Sequence, residues 1–166
     1  MHCVGDKIVY GSNGIVEIVD IREESIGDAQ RKYYVLKDLR SNFSSQTFVP
    51  MDNEKLVGTM RPLLTRDEIM DIISRIKIIP EAVWNDNNRL RTEKFRSVIE
   101  SGDTEGIIAV IKAIYASGIK RQAEGKKNYL ADENLMRKGE KMLYEEFSMV
   151  LDIPENEVRD FIAEHC

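Results

Sequence analysis

A chain of 166 residues, 42% hydrophobic and 32% charged, has room for one ordinary domain or two small ones with real cores, and no apolar run approaches the roughly 20 residues of a membrane span. A net charge of −5 excludes binding to nucleic acid by bulk electrostatics alone. Two cysteines at opposite ends, Cys3 and Cys166, exclude a disulfide framework, and the first ten residues lack the basic and apolar regions of an export signal, so a cytoplasmic protein is expected.

The first third reads in short β-branched and aromatic runs. "DKIVYGSNGIVEIVDIRE" is a strand, a Gly-Ser-Asn-Gly turn and a second strand, the glycines supplying positive φ. "SIGDAQ" turns into "RKYYVLKDL" and "RSNFSS" into "QTFVP", where Pro50 closes a strand or marks a sheet edge. "KLVG" adds a short fifth strand. Four or five strands in so few residues predict a small antiparallel barrel or curled sheet of SH3-like or Tudor-like size over residues 1–62.

From residue 65 the apolar period becomes helical. Thr65-Arg66-Asp67-Glu68 is a capping box that opens a helix with Ile69, Ile72, Ile73 and Ile76 on one face. After Pro80 a second helix carries Leu90, Phe95, Val98 and Ile99 inward and stops at Gly102. Asp103 caps a third with the stripe Ile107, Ile108, Ile111, Ile114 and Tyr115, which Gly118 weakens or ends. Asp132 caps a long fourth helix with Leu135, Met136, Met142, Leu143, Phe147, Val150 and Leu151 inward and Gly139 at a close helix contact. Pro154 starts a short last helix with Val158, Phe161 and Ile162. Each stripe needs neighbours, so residues 63–166 read as a compact all-α bundle of about five helices, and the chain as an α+β protein of two domains.

No chemistry of catalysis is legible. "GSNG" has no helix behind it to aim amides at a phosphate. The only histidines, His2 and His165, each adjoin a cysteine at a terminus, which is not the usual ligand spacing for zinc, so neither a metal nor a cofactor is expected. The acidic pair Glu145/Glu146 reads as solvated on an outward helix face. An enzyme is not expected.

Charge distribution says more. Residues 89–127 hold 9 basic and 5 acidic side chains inside an otherwise acidic chain. That excess is either a phosphate-facing surface or a solvated helical face. Beside it lies the only tryptophan, Trp84, followed by Asn85, Asp86, Asn87 and Asn88. Packing under the first two helices is one reading of it. In the other, the indole projects at a helix start and wedges against an opening base step, with Asn85, Arg89 and Arg91 on sugar and phosphate. Arg89 and Glu93 are four apart and neutralise one another, whereas Arg91 and Lys94 are freer, and Lys120, Arg121, Lys126 and Lys127 form a second cluster. DNA affinity from these alone is weak and salt-dependent, so a second anchor is needed. The edge strand around Gln46, Thr47, Phe48, Val49 and Pro50, with Arg22 near it, offers one by accepting a partner strand; Phe48 and Val49 otherwise complete the core.

The opening "VGDKIVYGSNGIVEI", then "YYVLK", "TFVP" and "LVG", then a tryptophan at the start of a helical domain and "ESGD", resemble the CarD family of bacterial transcription regulators. The first domain is also similar to the polymerase-interacting domain of transcription-repair coupling factors. The resemblance implies a non-catalytic protein whose Tudor-like domain binds the lobe of the RNA polymerase β subunit. Its helical domain meets promoter DNA at the upstream edge of the transcription bubble and modulates open-complex stability. By position the wedge is Trp84, one polymerase-facing basic residue is Arg22, and a second falls on Phe48. "NDNN" replaces residues that are commonly basic in relatives, which implies DNA contact that is weaker or shifted toward Arg89, Arg91 and residues 120–127. The alternative is a protein-only adaptor without DNA contact. A homodimer formed by domain swapping is also compatible with this organisation.

Overall fold

A computed structural model describes residues 1–26, 29–40 and 45–166 and divides into two compact units, Met1–Leu63 and Leu64–Cys166. Of the turns read at residues 25–30 and 40–45, positions 27 and 28 and positions 41–44 lie outside the described residues, while residues 25, 26, 29 and 30 are already strand.

The first unit is one antiparallel sheet. β1 (Lys7–Tyr10) pairs with β2 (Ile15–Ile26), β2 with β3 (Ala29–Asp38), and β3 with β4 (Gln46–Pro50). The loop between β1 and β2 works because Gly11 and Gly14 hold φ of 48° and 84°, which side chains with a Cβ resist, and the Tyr10 amide donates to the Gly14 carbonyl at 3.0 Å. The fifth strand is not "KLVG". Asn53 accepts a hydrogen bond from the Leu56 amide and opens a helical turn, α1 (Glu54–Val57), whose Leu56 and Val57 pack on the sheet. β5 (Met60–Pro62) follows and pairs with β1, giving the order β4-β3-β2-β1-β5 with β4 at one end. β2 runs beyond Arg22, and the neighbour of β4 is β3. A register shift between Ile18 and Asp20 marks a bulge in β2. Ile8, Val16, Ile18, Tyr34, Leu36, Val49 and Met60 meet in one core.

The second unit is a helical bundle. The Thr65–Glu68 capping box is formed and opens α2 (Arg66–Arg75), with Ile69, Ile72 and Ile73 buried. The residues after it are tied down by Lys112, whose ammonium donates to the carbonyls of Ile76, Lys77 and Ile79. The Ala82 amide then donates to the Ala109 carbonyl. α3 (Asn88–Ser101) ends at Gly102 in the left-handed region, and Asp103 caps α4 (Thr104–Ala123). α5 (Leu130–Leu151) and α6 (Val158–His165), joined by a 3-10 turn, complete the unit. Gly139 is a close helix contact: a Cβ there lies 3.0 Å from Cγ2 of Ile107.

Four details depart from the sequence reading. Leu90 and Tyr115 are exposed, and on α3 it is Arg91 that takes the inward place beside Leu90. Gly118 does not end α4; it is buried and leaves room for the Asn128 side chain. Asp132 is no cap, since α5 begins two residues earlier and the carboxylate turns inward. Glu145 and Glu146 are buried, Glu146 accepting the Leu64 amide at 2.9 Å and Glu145 lying 3.8 Å from Lys141. No helix among the described residues is long and apolar enough to cross a membrane.

Candidate functional site

Two surfaces carry the predicted residues, one in each unit. On the sheet, β4 is an edge strand with Gln46, Thr47 and Phe48 exposed and Pro50 half-buried. Val49 is different. It is fully buried in the sheet core, so its side chain is withdrawn from any partner, a correction that follows from strand alternation. Phe48 leans its edge on Tyr33, with ring centroids 6.4 Å apart, and the Arg22 guanidinium stands 5.7 Å from the Phe48 centroid. Asp20 accepts from Arg22 Nε at 2.8 Å, and that hydrogen bond is the main cause holding the Asp20 carboxyl below the usual carboxylate range. Arg22 and Phe48 therefore form one cation–aromatic patch beside an open strand edge.

In the helical unit the tryptophan question resolves into neither extreme. Trp84 is half-buried. Its ring meets Phe95 edge-on at 6.1 Å and packs against the main helical core. The same side chain lines an open groove of about 420 Å³, with Ala113, Ala116 and Ser117 beside it and Lys120 and Arg121 on the rim. Glu81, Asp86 and Glu124 line it too, so the groove carries both signs of charge. The indole is thus part of the groove wall and, half-buried, does not project as a free spike.

The polar run after Trp84 has a local cause. Asn85 Oδ1 accepts the Asn87 amide at 2.8 Å, and Asn87 Oδ1 accepts the amides of Arg89 and Leu90, capping α3. These asparagines fix the entry of the helix. Arg89 is exposed and paired with Glu93 at 3.1 Å, as its spacing predicts. Lys94, Lys120 and Lys127 are exposed, and Lys126 pairs with Glu124 at 2.8 Å. The Lys126 hydrogen bond is the main cause of a lowered Glu124 pKa. Arg121 donates through Nε to the Lys127 carbonyl and lies 3.9 Å from the Tyr129 centroid.

Arg91 overturns its sequence reading. Only 1% of its surface is exposed, and its guanidinium is held by Asp132, with Nη2 2.7 Å from Oδ2. A guanidinium enclosed in this way reaches no phosphate. Sequence reasoning missed Asp132 and Tyr129 as its partners, although a signal was present. Arg91 stands one turn before Phe95 and two before Ile99, and Asp132 one turn before Leu135, so opposite charges occupied two buried stripes. Among the described residues no group of three or more His, Cys, Asp or Glu side chains gathers to hold a metal.

Residues 3–64 match the model of the CarD-like/TRCF RID domain family, a span that coincides with the first unit. No curated protein matches the chain.

Proposed function

A chain whose first unit is a CarD-like/TRCF RID domain is an RNA polymerase-interacting transcription factor of that type, and from this premise we propose that it bridges the polymerase β subunit to promoter DNA at the upstream edge of the transcription bubble. In this reading β4 accepts a strand of the β lobe through its free edge, with Gln46, Thr47 and Phe48 beside it and Arg22 on an acidic neighbour. The helical unit presents the Trp84 groove to melting DNA. Lys120 and Arg121 line that groove, and in this reading they contact sugar and phosphate together with Asn85, Arg89, Lys94, Lys126 and Lys127. The protein is non-catalytic, works in the cytoplasm where the polymerase is, and changes the lifetime of the open complex.

The half-buried indole lining a groove rimmed by Lys120 and Arg121 carries this reading. Its test is Trp84→Ala in a promoter assay. We expect a folded protein, unchanged binding to a β-lobe fragment, and an open complex that decays several-fold faster. An unchanged decay with intact folding removes Trp84 from function.

The mixed charge of the groove favours a second reading. Glu81, Asp86 and Glu124 offset Lys120 and Arg121, which suits a protein-only adaptor. Titrating forked promoter DNA against a preformed complex of the chain with polymerase separates the two: DNA affinity gained from the chain supports the bridge, and none supports the adaptor.

A further inference from the structure

The bridge reading makes no use of Arg91, yet the fold encloses this cation and surrounds it with partners. Each of its three nitrogens donates a hydrogen bond. Nη2 and Nε donate to the two oxygens of Asp132 at 2.7 and 3.3 Å, and Nη1 donates to the Asn85 carbonyl at 2.8 Å. Its planar carbon lies 4.1 Å from the Trp84 ring centroid and 4.9 Å from that of Tyr129. A buried ion pair is a poor device for stability alone, since apolar residues of similar volume commonly serve as well. What an apolar pair cannot do is grip a backbone carbonyl and an indole face together.

We infer that Arg91 is the positioning residue of Trp84. It holds the chain at Asn85, next to the indole, and lies over the ring itself, so the ring plane is fixed at two points. Asp132 orients the guanidinium from α5, and Tyr129 contacts it from the residue preceding that helix. The groove edge of the indole is thus preset before any partner arrives, and α3, α5 and the segment at residues 84–87 are joined through one side chain. This inference deepens the bridge reading, and its consequence for DNA rests on that reading. The positioning itself does not.

Trp84 is the only tryptophan, so fluorescence of the full chain excited at wavelengths beyond the absorption of its tyrosines reports on this indole alone. Two variants separate positioning from mere packing. Arg91→Met with Asp132→Leu removes both charges at similar volume and leaves no buried charge unpaired. Arg91→Lys keeps the ion pair but lacks the planar fork. With circular dichroism and cooperative unfolding retained, we expect acrylamide quenching of Trp84 to rise at least twofold and its anisotropy to fall in both. Arg91→Lys restores neither, although a role limited to charge pairing predicts that it restores both. Unchanged quenching and anisotropy in either folded variant overturns the inference; should the double variant fail to fold, Arg91→Lys decides alone. In the promoter assay the variants approach the decay rate of Trp84→Ala. Should Trp84→Ala itself leave that rate unchanged while quenching still rises, the bridge reading falls and the positioning stands.

Discussion

Val49 and Phe48 are neighbours in one edge strand, and the pleat sends one to the core and the other to solvent. Their variants should therefore fail in different ways. Val49→Ala is expected to lower the stability of the sheet unit by about 1–3 kcal/mol through lost burial and a cavity. Phe48→Ala leaves folding intact and weakens binding to the β lobe. Because the Arg22 guanidinium stands over the Phe48 ring, Arg22→Ala and Phe48→Ala are coupled. A double-mutant cycle in a β-lobe titration should give an interaction of about 0.5–1 kcal/mol, the range of exposed cation–π contacts. Additive losses would mean that the two side chains act separately. The resemblance pointed to a second basic position at Phe48, and the pairing gives a physical account of the ring there: it supports the charge that Arg22 already supplies.

Among the helical elements, one contact ties down the chain after α2 and another sets the close approach of α4 and α5. Lys112 interrupts the longest apolar run of the sequence, and its ammonium satisfies three carbonyls between Ile76 and Ile79. Lys112→Met keeps most of the volume and leaves those partly buried acceptors without the cation. Thermal or denaturant unfolding should show a loss of about 2 kcal/mol, set by hydrogen bonds to a charged donor. At the α4–α5 contact, Gly139→Leu places a side chain where Ile107 already stands and should cost about 1–3 kcal/mol. Ile107→Ala introduced beside it should recover part of that loss, as measured by the same unfolding curves. The helical stripes, the capping box at Thr65 and the glycine at 139 were legible because periodicity and capping are local signals. Other features were not, for reasons of distance. Arg91 and Asp132 lie 41 residues apart, and Glu146 meets the Leu64 amide across 82. Residue type alone ranks such side chains as exposed, and the helical spacing that put Arg91 and Asp132 on buried stripes did not by itself name the partner of either. The short strand Met60–Pro62 was hidden by the preceding "KLVG", whose β-like composition is overruled by the Asn53 cap.

For the whole molecule, the proposed function needs two modest surfaces to act in series. The sheet unit, with the edge strand β4 and the Arg22–Phe48 patch, matches the CarD-like/TRCF RID domain family. The helical unit lies beyond the family match, and its groove mixes acid with base, so its DNA affinity in isolation is expected to be small and steeply salt-dependent. In the proposed bridge, tethering on polymerase would raise the effective concentration of that groove at the bubble edge and compensate for the missing charge. The polymerase side of this arrangement was readable from the order of short motifs. Of the proposed DNA side, only Trp84 and a basic stretch stood out in the sequence, because which cations are paired depends on contacts the fold creates. The most direct measurement labels the single tryptophan with 5-fluorotryptophan and follows its ¹⁹F resonance in the full chain. The account predicts no change with forked promoter DNA alone, little with polymerase alone, and a shifted, broadened signal when both are present. A resonance unmoved in the ternary mixture, with polymerase demonstrably bound, contradicts it.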